Sequence, residues 1–403
     1  MKKILFVINT LGRAGAETAL LELLRVLVQK EYEISVYVML GQGELAKELP
    51  SNVRLLNTHY KNESVLTAKG RIELAKTVIR SFFRNGRLLH KAGMVFHNLC
   101  WMCRRKRLQA DKLLWRILAE GAQEITEEYD LAVAYLEGAS TYFVAESVRA
   151  VKKAAFLHID YGSAGYTKEL DRGCYRVFDR IFAVSDEVQE RFLDMYPQYR
   201  RKMYVFHNLV DQERIRTLAQ AGEGFTDGFS GFRILTVGRL DHQKAYDIAI
   251  RAFAILKKSG LCVRWYVLGE GSERKRLENL SKALKVNEDF ILYGSVDNPY
   301  PYYRQCDLYV HATRFEGKSI AVQEALTLGC AVLASDCSGN REQLTDGVDG
   351  RFCELSPEGL ASGIQELLAD EALRKRLGKA AAQKTTVYTK DMDRLMELLN
   401  SDT

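Results

Sequence analysis

Apolar runs bounded by polar, glycine-bearing turns recur at residues 4–8, 34–40, 53–57, 131–136, 154–157, 181–184 and 205–206. Their length and their β-branched and aromatic content predict buried strands. A second series follows at 233–237, 263–268, 290–294, 308–312 and 330–335. Between the runs apolar residues return at helical spacing, as at Ala19, Leu20, Leu23, Leu24 and Leu27. Strands that alternate with amphipathic helices fold as parallel sheets joined by right-handed crossovers, so the predicted fold class is α/β. A chain of 403 residues is too long for one ordinary core. The polar, Gly-bearing stretch 212–231 lies between the two series and reads as a linker, which divides the chain into two such domains.

The stretch richest in candidate chemistry is 307–336, DLYVHATRFEGKSIAVQEALTLGCAVLASD. Between its two strands it predicts a helix over 320–328, with Ser319 placed to cap the start and Gly329 the end. Ligands of parallel sheets collect at the carboxyl ends of strands, so the loop 313–319 is where chemistry belongs. Glu316 lies in that loop. Glu324 lies early in the helix, and helical side chains lean back toward the N-terminus, so both carboxylates can serve one cavity. The N–H groups of Lys318, Ser319, Ile320 and Ala321 point outward with the positive end of the helix dipole, which suits a phosphate or another anion. Solvated helix-end charges explain the same two glutamates equally well.

Other strand ends carry candidates too. After 233–237 come Gly238, Arg239 and Lys244, a pair of cations suited to a diphosphate. After 4–8, Gly12 and Gly15 permit close backbone approach. The run 131–136 leads into Glu137, and 154–157 leads into His158 and Asp160. A lone histidine is more often structural than functional. Gly269-Glu-Gly271 begins like a dinucleotide-binding turn, but Arg274 stands where that motif needs its third glycine.

Segment 69–116 breaks the strand–helix alternation. Arg71, Lys76, Arg80, Arg84, Arg87, Lys91, Arg104, Arg105, Lys106, Arg107, Lys112 and Arg116 face few acids, with Phe82, Phe83, Met94, Phe96, Trp101 and Trp115 interleaved. The pattern suits a membrane surface, and equally a solvated helix face with an apolar inner side. No motif points to nucleic acid. Cys100-x-x-Cys103 has no second pair to complete a zinc site, and the eight cysteines form no framework, so reduced cytoplasmic thiols are expected. The run 4–8 is too short for a signal-peptide core, and none reaches the ~18 apolar residues of a membrane span.

Glu316 and Glu324 frame the spacing E-x7-E, followed by EAL-x-x-G-x-x-V. Before and after it, in order, stand GAE at 15–17, HID at 158–160, HNLVD at 207–211, VGRLDHQK at 237–244, LGEG at 268–271 and GNREQLTDGVDG at 339–350. With this ordered set the chain resembles family-4 retaining glycosyltransferases of the bacterial polysaccharide type, which have the GT-B fold. The resemblance implies two Rossmann-like domains facing across a cleft. The acceptor-side domain would span 1–211 and the nucleotide-sugar domain 212–388, with a last helix in 389–403 crossing back to the first. It implies transfer of a hexose from a UDP-sugar to an acceptor hydroxyl on a lipid-linked glycan, with retention. Arg239 and Lys244 would hold the diphosphate, Gly15 would approach the donor, and Val296 would wall the base pocket. Glu324 would hold the ribose, while Glu316 and the amides of Lys318, Ser319 and Ile320 would hold the donor sugar. His158 would sit near the reacting centre, with Glu137 and Asp160 beside sugar or acceptor. The fixed cations would remove the need for a metal, and Asp391-Met-Asp393, the only Asp-x-Asp, reads as a solvated part of the last helix. The implied location is the cytoplasm, peripheral on the inner face of the membrane. The chain departs from the family at Ala14 and Ala245, where glycine is usual, and in reading EGKS for EGFG. A sugar-nucleotide epimerase of the same fold, or a nucleotide-sugar-binding protein without catalysis, would carry many of the same motifs.

Overall fold

A computed structural model describes residues 1–84, 86, 88–104, 110–162, 164–384 and 389–400. The chain divides into two compact units, Met1–Leu209 with Tyr388–Thr403, and Val210–Val387.

The first unit is built on seven parallel strands: β1 (Lys2–Ile8), β2 (Tyr32–Val38), β3 (Val53–Leu55), β4 (Tyr129–Ala134), β5 (Ala150–Leu157), β6 (Arg180–Ala183) and β7 (Met203–Val205). Their order is β3-β2-β1-β4-β5-β6-β7, so the winding reverses between β1 and β4. Helices cover both faces, which is why the strands read as unbroken apolar runs. One face packs Leu20, Leu24 and Leu27 of the helix Gly15–Leu27 with Leu395 and Leu399 of the helix Thr389–Asn400. Full burial of each such side chain stabilises the fold by about 1.5–3 kcal/mol.

The opposite face is aromatic, with Tyr142, Tyr161, Tyr175, Phe192 and Tyr196 in one core. Inside it the fully buried Asp171 carboxylate accepts hydrogen bonds from the hydroxyls of Tyr142 (2.9 Å), Tyr161 (2.7 Å) and Tyr196 (2.6 Å). Burial pushes this carboxyl up to about 6 in spite of the three hydroxyl donors. Arg116 donates to the carbonyls of Leu170 (2.7 Å) and Asp171 (2.6 Å) and pairs with Glu146. These bonds pin the segment that follows β5.

The basic segment is therefore not one solvated face. Arg116 is buried, and Lys91 turns inward to the carbonyls of Ser81 (2.6 Å) and Arg84 (2.7 Å). Trp115 packs over Gly138, where an added Cβ would meet the indole at 2.9 Å. What remains outside is a mixed surface. Ile72, Ile79 and Phe83 stand 56–63% exposed on the helix Ala68–Phe83, among exposed Arg71, Lys76 and Arg80. Leu89 and Phe96 stand 91% and 69% exposed on Leu88–Arg104. Arg87, Arg105, Lys106 and Arg107 lie outside the described residues, as do the side chains of Met94, Trp101 and Arg104. Among the described residues no helix is long and apolar enough to cross a membrane.

The second unit has six parallel strands: β8 (Phe232–Val237), β9 (Val263–Leu268), β10 (Phe290–Gly294), β11 (Leu308–His311), β12 (Val332–Ser335) and β13 (Arg351–Cys353). Their order is β10-β9-β8-β11-β12-β13, reversing between β8 and β11. The predicted linker is half wrong. Gln212–Gln220 is a helix, capped by the Asp211 carboxylate on the Arg214 N–H (2.9 Å) and anchored by buried Ile215 and Ala219. Only the glycine-bearing remainder is loop.

Candidate active site

In an open parallel sheet the winding reversal opens a crevice at the strand ends. In the second unit that position belongs to the loops after β8 and β11, which carry Arg239, Lys244 and Glu316. The two loops are stitched together: Gln243 donates to the Phe315 carbonyl (2.9 Å), the Arg314 N–H donates to the Gln243 carbonyl (2.8 Å), and Arg314 pairs with Asp247 (2.8 Å). Asp241 caps the short turn His242–Lys244 by accepting the Lys244 N–H (3.2 Å). The Gly269-Glu-Gly271 turn serves this loop. A Cβ on Gly269 would lie 2.0 Å from the Gly238 carbonyl, and one on Gly271 would lie 2.2 Å from the Leu240 carbonyl. Those glycines let the turn pack beneath Arg239.

At the crevice the Lys244 ammonium is ion-paired with Glu316, both side chains nearly buried at 12% and 13% exposure. His311 also meets Glu316, with its Nε2 at 3.3 Å from Oε2. Burial opposes ionisation of Glu316, but the Lys244 charge and the His311 hydrogen bond overcome it and hold the carboxyl at about 2. Arg239 is half exposed, 3.5 Å from Asp241. The site thus offers an internal ion pair and a half-exposed cation at the same strand end.

Glu324 is held elsewhere, by the hydroxyls of Tyr300 (3.1 Å) and Tyr303 (3.1 Å). It lies on the helix Ile320–Thr327, as the spacing predicts, but Ser319 makes no side-chain cap there. Gly329 ends that turn in the left-handed conformation, at φ 71°. Ser319 is buried, and Lys318 and Ile320 are half-buried beside it. Glycine at 339 is required by this loop, because a Cβ would lie 2.0 Å from the Gly317 carbonyl and 2.2 Å from that of Glu316. Val296 follows β10 and lines a cavity of about 370 Å³ with Gly222, Gly224, Tyr293, Pro301 and Tyr302. None of the charged candidates lines that cavity.

In the first unit the reversal lies between β1 and β4. Asn9, after β1, donates to the Glu137 carbonyl (2.7 Å) and accepts the Ser140 N–H (3.0 Å). Gly15 opens its helix, and Ala14 precedes it in extended conformation without a side-chain cap. The buried Glu137 carboxylate accepts the backbone N–H groups of His158 and Ile159. Burial pushes it up to about 7. His158 lies over Tyr135, ring centres 5.0 Å apart, and burial lowers its imidazole to about 3. Its Nε2 is screened from water and has no hydrogen-bond partner among the described residues. A buried polar atom left unpaired in a native structure calls for an explanation, and a ligand is one. Asp160 faces Arg191 at 3.9 Å. Asp391 is buried, accepting from the His207 ring (2.8 Å), so the solvated reading of Asp391-Met-Asp393 is corrected for that residue; Asp393 is exposed.

His311, Tyr300, Tyr303 and Asn9 were absent from the sequence-derived site. His311 had a signal, a polar residue two positions after Tyr309 on a strand and therefore on the same side of it.

Two doubly wound parallel domains with charged groups at their strand ends are the architecture of the GT-B fold. Residues 13–214 match the family described as Glycosyltransferase Family 4, and residues 230–384 match Glycosyl transferases group 1. The chain belongs to glycosyltransferase family 4. It is 34% identical over 47% of its length to the N-acetylgalactosamine-N,N'-diacetylbacillosaminyl-diphospho-undecaprenol 4-alpha-N-acetylgalactosaminyltransferase of Campylobacter jejuni, covering 51% of that protein. It is 24% identical over 91% of its length to the poly(glycerol-phosphate) alpha-glucosyltransferase of Bacillus subtilis, covering 57% of it. The chain thus spans little more than half the length of these two relatives. A second C. jejuni protein, the GalNAc-alpha-(1->4)-GalNAc-alpha-(1->3)-diNAcBac-PP-undecaprenol alpha-1,4-N-acetyl-D-galactosaminyltransferase, is 24% identical with 95% of this chain and 94% of that one covered. The fold is similar to that of Anabaena HepE in complex with UDP and glucose, with a TM-score of 0.69, 17% identity and full coverage of both chains. It is also similar to Staphylococcus aureus TarM, with a TM-score of 0.68, 12% identity and full coverage of both.

Proposed function

We propose that this glycosyltransferase moves a hexose from a UDP-sugar to a hydroxyl of a lipid-linked glycan, with retention at the anomeric carbon. The observation that carries the reading is the Lys244–Glu316 pair beside Arg239 at the winding reversal of the second domain. As the bond from the anomeric carbon to the diphosphate breaks and the bond to the acceptor oxygen forms, negative charge grows on the departing nucleotide, whose phosphate oxygen takes the proton that the acceptor hydroxyl gives up. Lys244 and Arg239 neutralise that charge, and a cation that the bound diphosphate has already drawn to it needs no further reorganisation at that moment. Glu316 and the amides of Lys318, Ser319 and Ile320 hold sugar hydroxyls; Glu324 takes the ribose. Within the first domain, Gly15, His158 and Asp160 are the groups assigned to donor or acceptor, with His158 Nε2 as the hydrogen-bonding group and Glu137, the weaker candidate, holding the backbone that carries it.

UDP as the nucleotide is supported by the UDP bound to the solved neighbours, and the lipid-linked acceptor by the undecaprenol substrates named for two relatives. The exposed apolar and basic residues of the helices Ala68–Phe83 and Leu88–Arg104 suit a reversible hold on an anionic membrane, in a cytoplasmic enzyme peripheral to the inner face. Fixed cations make the reaction independent of a divalent ion, so activity survives a chelator; abolition by chelator with rescue by magnesium or manganese would refute that part. The functional test is incubation with UDP-sugars, with and without an undecaprenyl diphosphate-linked glycan. Sugar transfer only with the acceptor is expected. Isomerised donor without acceptor would mark an epimerase, and bound but unchanged donor a binding protein.

A further inference from the structure

His311 occupies a position the donor reading does not use. It ends β11, is 1% exposed, and stands between two side chains: its Nδ1 is 3.3 Å from the Tyr309 hydroxyl and its Nε2 is 3.3 Å from Glu316 Oε2. An ionised carboxylate can only accept, so Nε2 must carry a proton. Burial and the nearby Lys244 charge favour the neutral ring, which leaves Nδ1 as the acceptor of the Tyr309 hydroxyl. The chain of donors then runs in one direction, Tyr309 to His311 to Glu316, and fixes a single tautomer.

Glu316 Oε2 therefore has two donors, Lys244 and His311. The Gln243 amide reaches Oε1 only at 3.5 Å and makes its better bond to the Phe315 carbonyl at 2.9 Å. A diphosphate competes with Glu316 for the Lys244 ammonium. Once that cation turns to the donor, the carboxylate loses its strongest partner while remaining almost buried. Without another donor it would reorient or take up a proton.

We infer that His311 is a positioning residue that keeps Glu316 ionised and oriented when the nucleotide sugar claims Lys244, with Tyr309 setting its tautomer. The inference rests on the proposed donor site and adds a division of labour: Lys244 serves the nucleotide, and His311 serves the carboxylate that meets the sugar.

The test uses the full chain and three variants. His311→Phe keeps a ring of similar size and removes both bonds; kcat for transfer should fall about tenfold or more while UDP affinity stays within about twofold, since a lost charge-assisted bond acts on the sugar and not on the nucleotide. His311→Gln returns an amide donor and should recover part of kcat. Tyr309→Phe leaves the ring in place and should lower kcat severalfold, which keeps the idea testable if His311→Phe does not fold. A kcat within twofold of wild type for both His311→Phe and Tyr309→Phe would overturn the inference, as would equal losses of UDP affinity and kcat. A readout without donor separates this idea from the donor reading: the ring nitrogen NMR shifts of His311, assigned by their loss in His311→Gln, should show the neutral form protonated at Nε2. The opposite tautomer, or a doubly protonated ring at neutral pH, overturns the inference even if UDP binds. Failure of wild type to bind UDP would instead count against the proposed function.

Discussion

The two domains place a glutamate at the same kind of position and treat it in opposite ways. In the second domain Glu316 sits beside Lys244, and the pairing outweighs burial, so its carboxyl is held at about 2. In the first domain Glu137 accepts two backbone N–H groups and feels the Lys112 charge only as a minor influence, so burial pushes it up to about 7. The same sheet end therefore yields a permanently charged group in one domain and a structural carboxyl near its titration point in the other. The difference teaches that a strand-end acid is not by itself a catalytic signal; its partner decides. Glu316 faces a cation that a diphosphate can use, whereas Glu137 holds the peptide that carries His158.

Removing the cation should break the comparison most sharply. Lys244→Ala leaves Glu316 buried without its main partner and, in the proposed reaction, the departing diphosphate less compensated. Loss of about 2–4 kcal/mol of transition-state stabilisation is expected, read as the ratio of kcat/KM between variant and wild type. A ratio within twofold would remove the functional half of the contrast.

A smaller effect is expected from the loop that carries Glu316. In Gly339→Ala the new methyl group would need space now held by the carbonyls of Gly317 and Glu316. Forcing that loop outward should cost about 1–3 kcal/mol of stability, measured by urea unfolding, and should raise the donor KM. Unchanged stability and KM would mean the loop yields freely.

Glu137 gives the complementary pH test. An acid whose folded pKa lies above its unfolded value binds its proton more tightly in the native state, so it makes stability fall as pH rises from about 4.5 to about 7. Glu137→Gln keeps an acceptor for the two N–H groups and removes that slope. The wild-type loss of unfolding free energy between pH 5 and pH 8 should shrink by about 1–3 kcal/mol in the variant. An unchanged slope would show that Glu137 titrates normally.

The smallest effect belongs to the outer face of the first domain. Replacing Arg71 and Arg80 with Gln should weaken binding to anionic vesicles by about 1 kcal/mol per residue at low salt, and salt should weaken the wild type likewise. Cosedimentation measures it; absence of wild-type binding at low salt would leave the patch as an ordinary solvated face.

Much of this architecture was legible because parallel strands are buried on both faces. Continuous apolar runs marked β1, β4, β5, β8, β9 and β11 within a few residues, and strand-end logic located Arg239, Lys244, Glu316, Glu137 and His158. The helix Gln212–Gln220 was not, because its inward face is only Ile215 and Ala219 and a glycine-bearing loop follows it. The basic segment was misread in part, since a sequence shows how many cations are present but not which turn inward; Lys91 and Arg116 do so to satisfy buried carbonyls. His311 was hidden inside an apolar run, and its meaning depends on Glu316 folding back across the strand end. The tyrosines that hold Glu324 come from the helix Tyr300–Gln305, whose approach is set by tertiary packing and not by any local pattern.

The central claim is that the strand end of the second domain binds a nucleoside diphosphate through its phosphates. Calorimetric titration of the full chain with UDP and with uridine tests it most directly. The account predicts that UDP binds at least about tenfold more tightly than uridine, the scale of one charge-assisted contact or more, and that Lys244→Ala erases most of that difference. Equal affinities for UDP and uridine in the wild type, or an undiminished preference for UDP in Lys244→Ala, would contradict it.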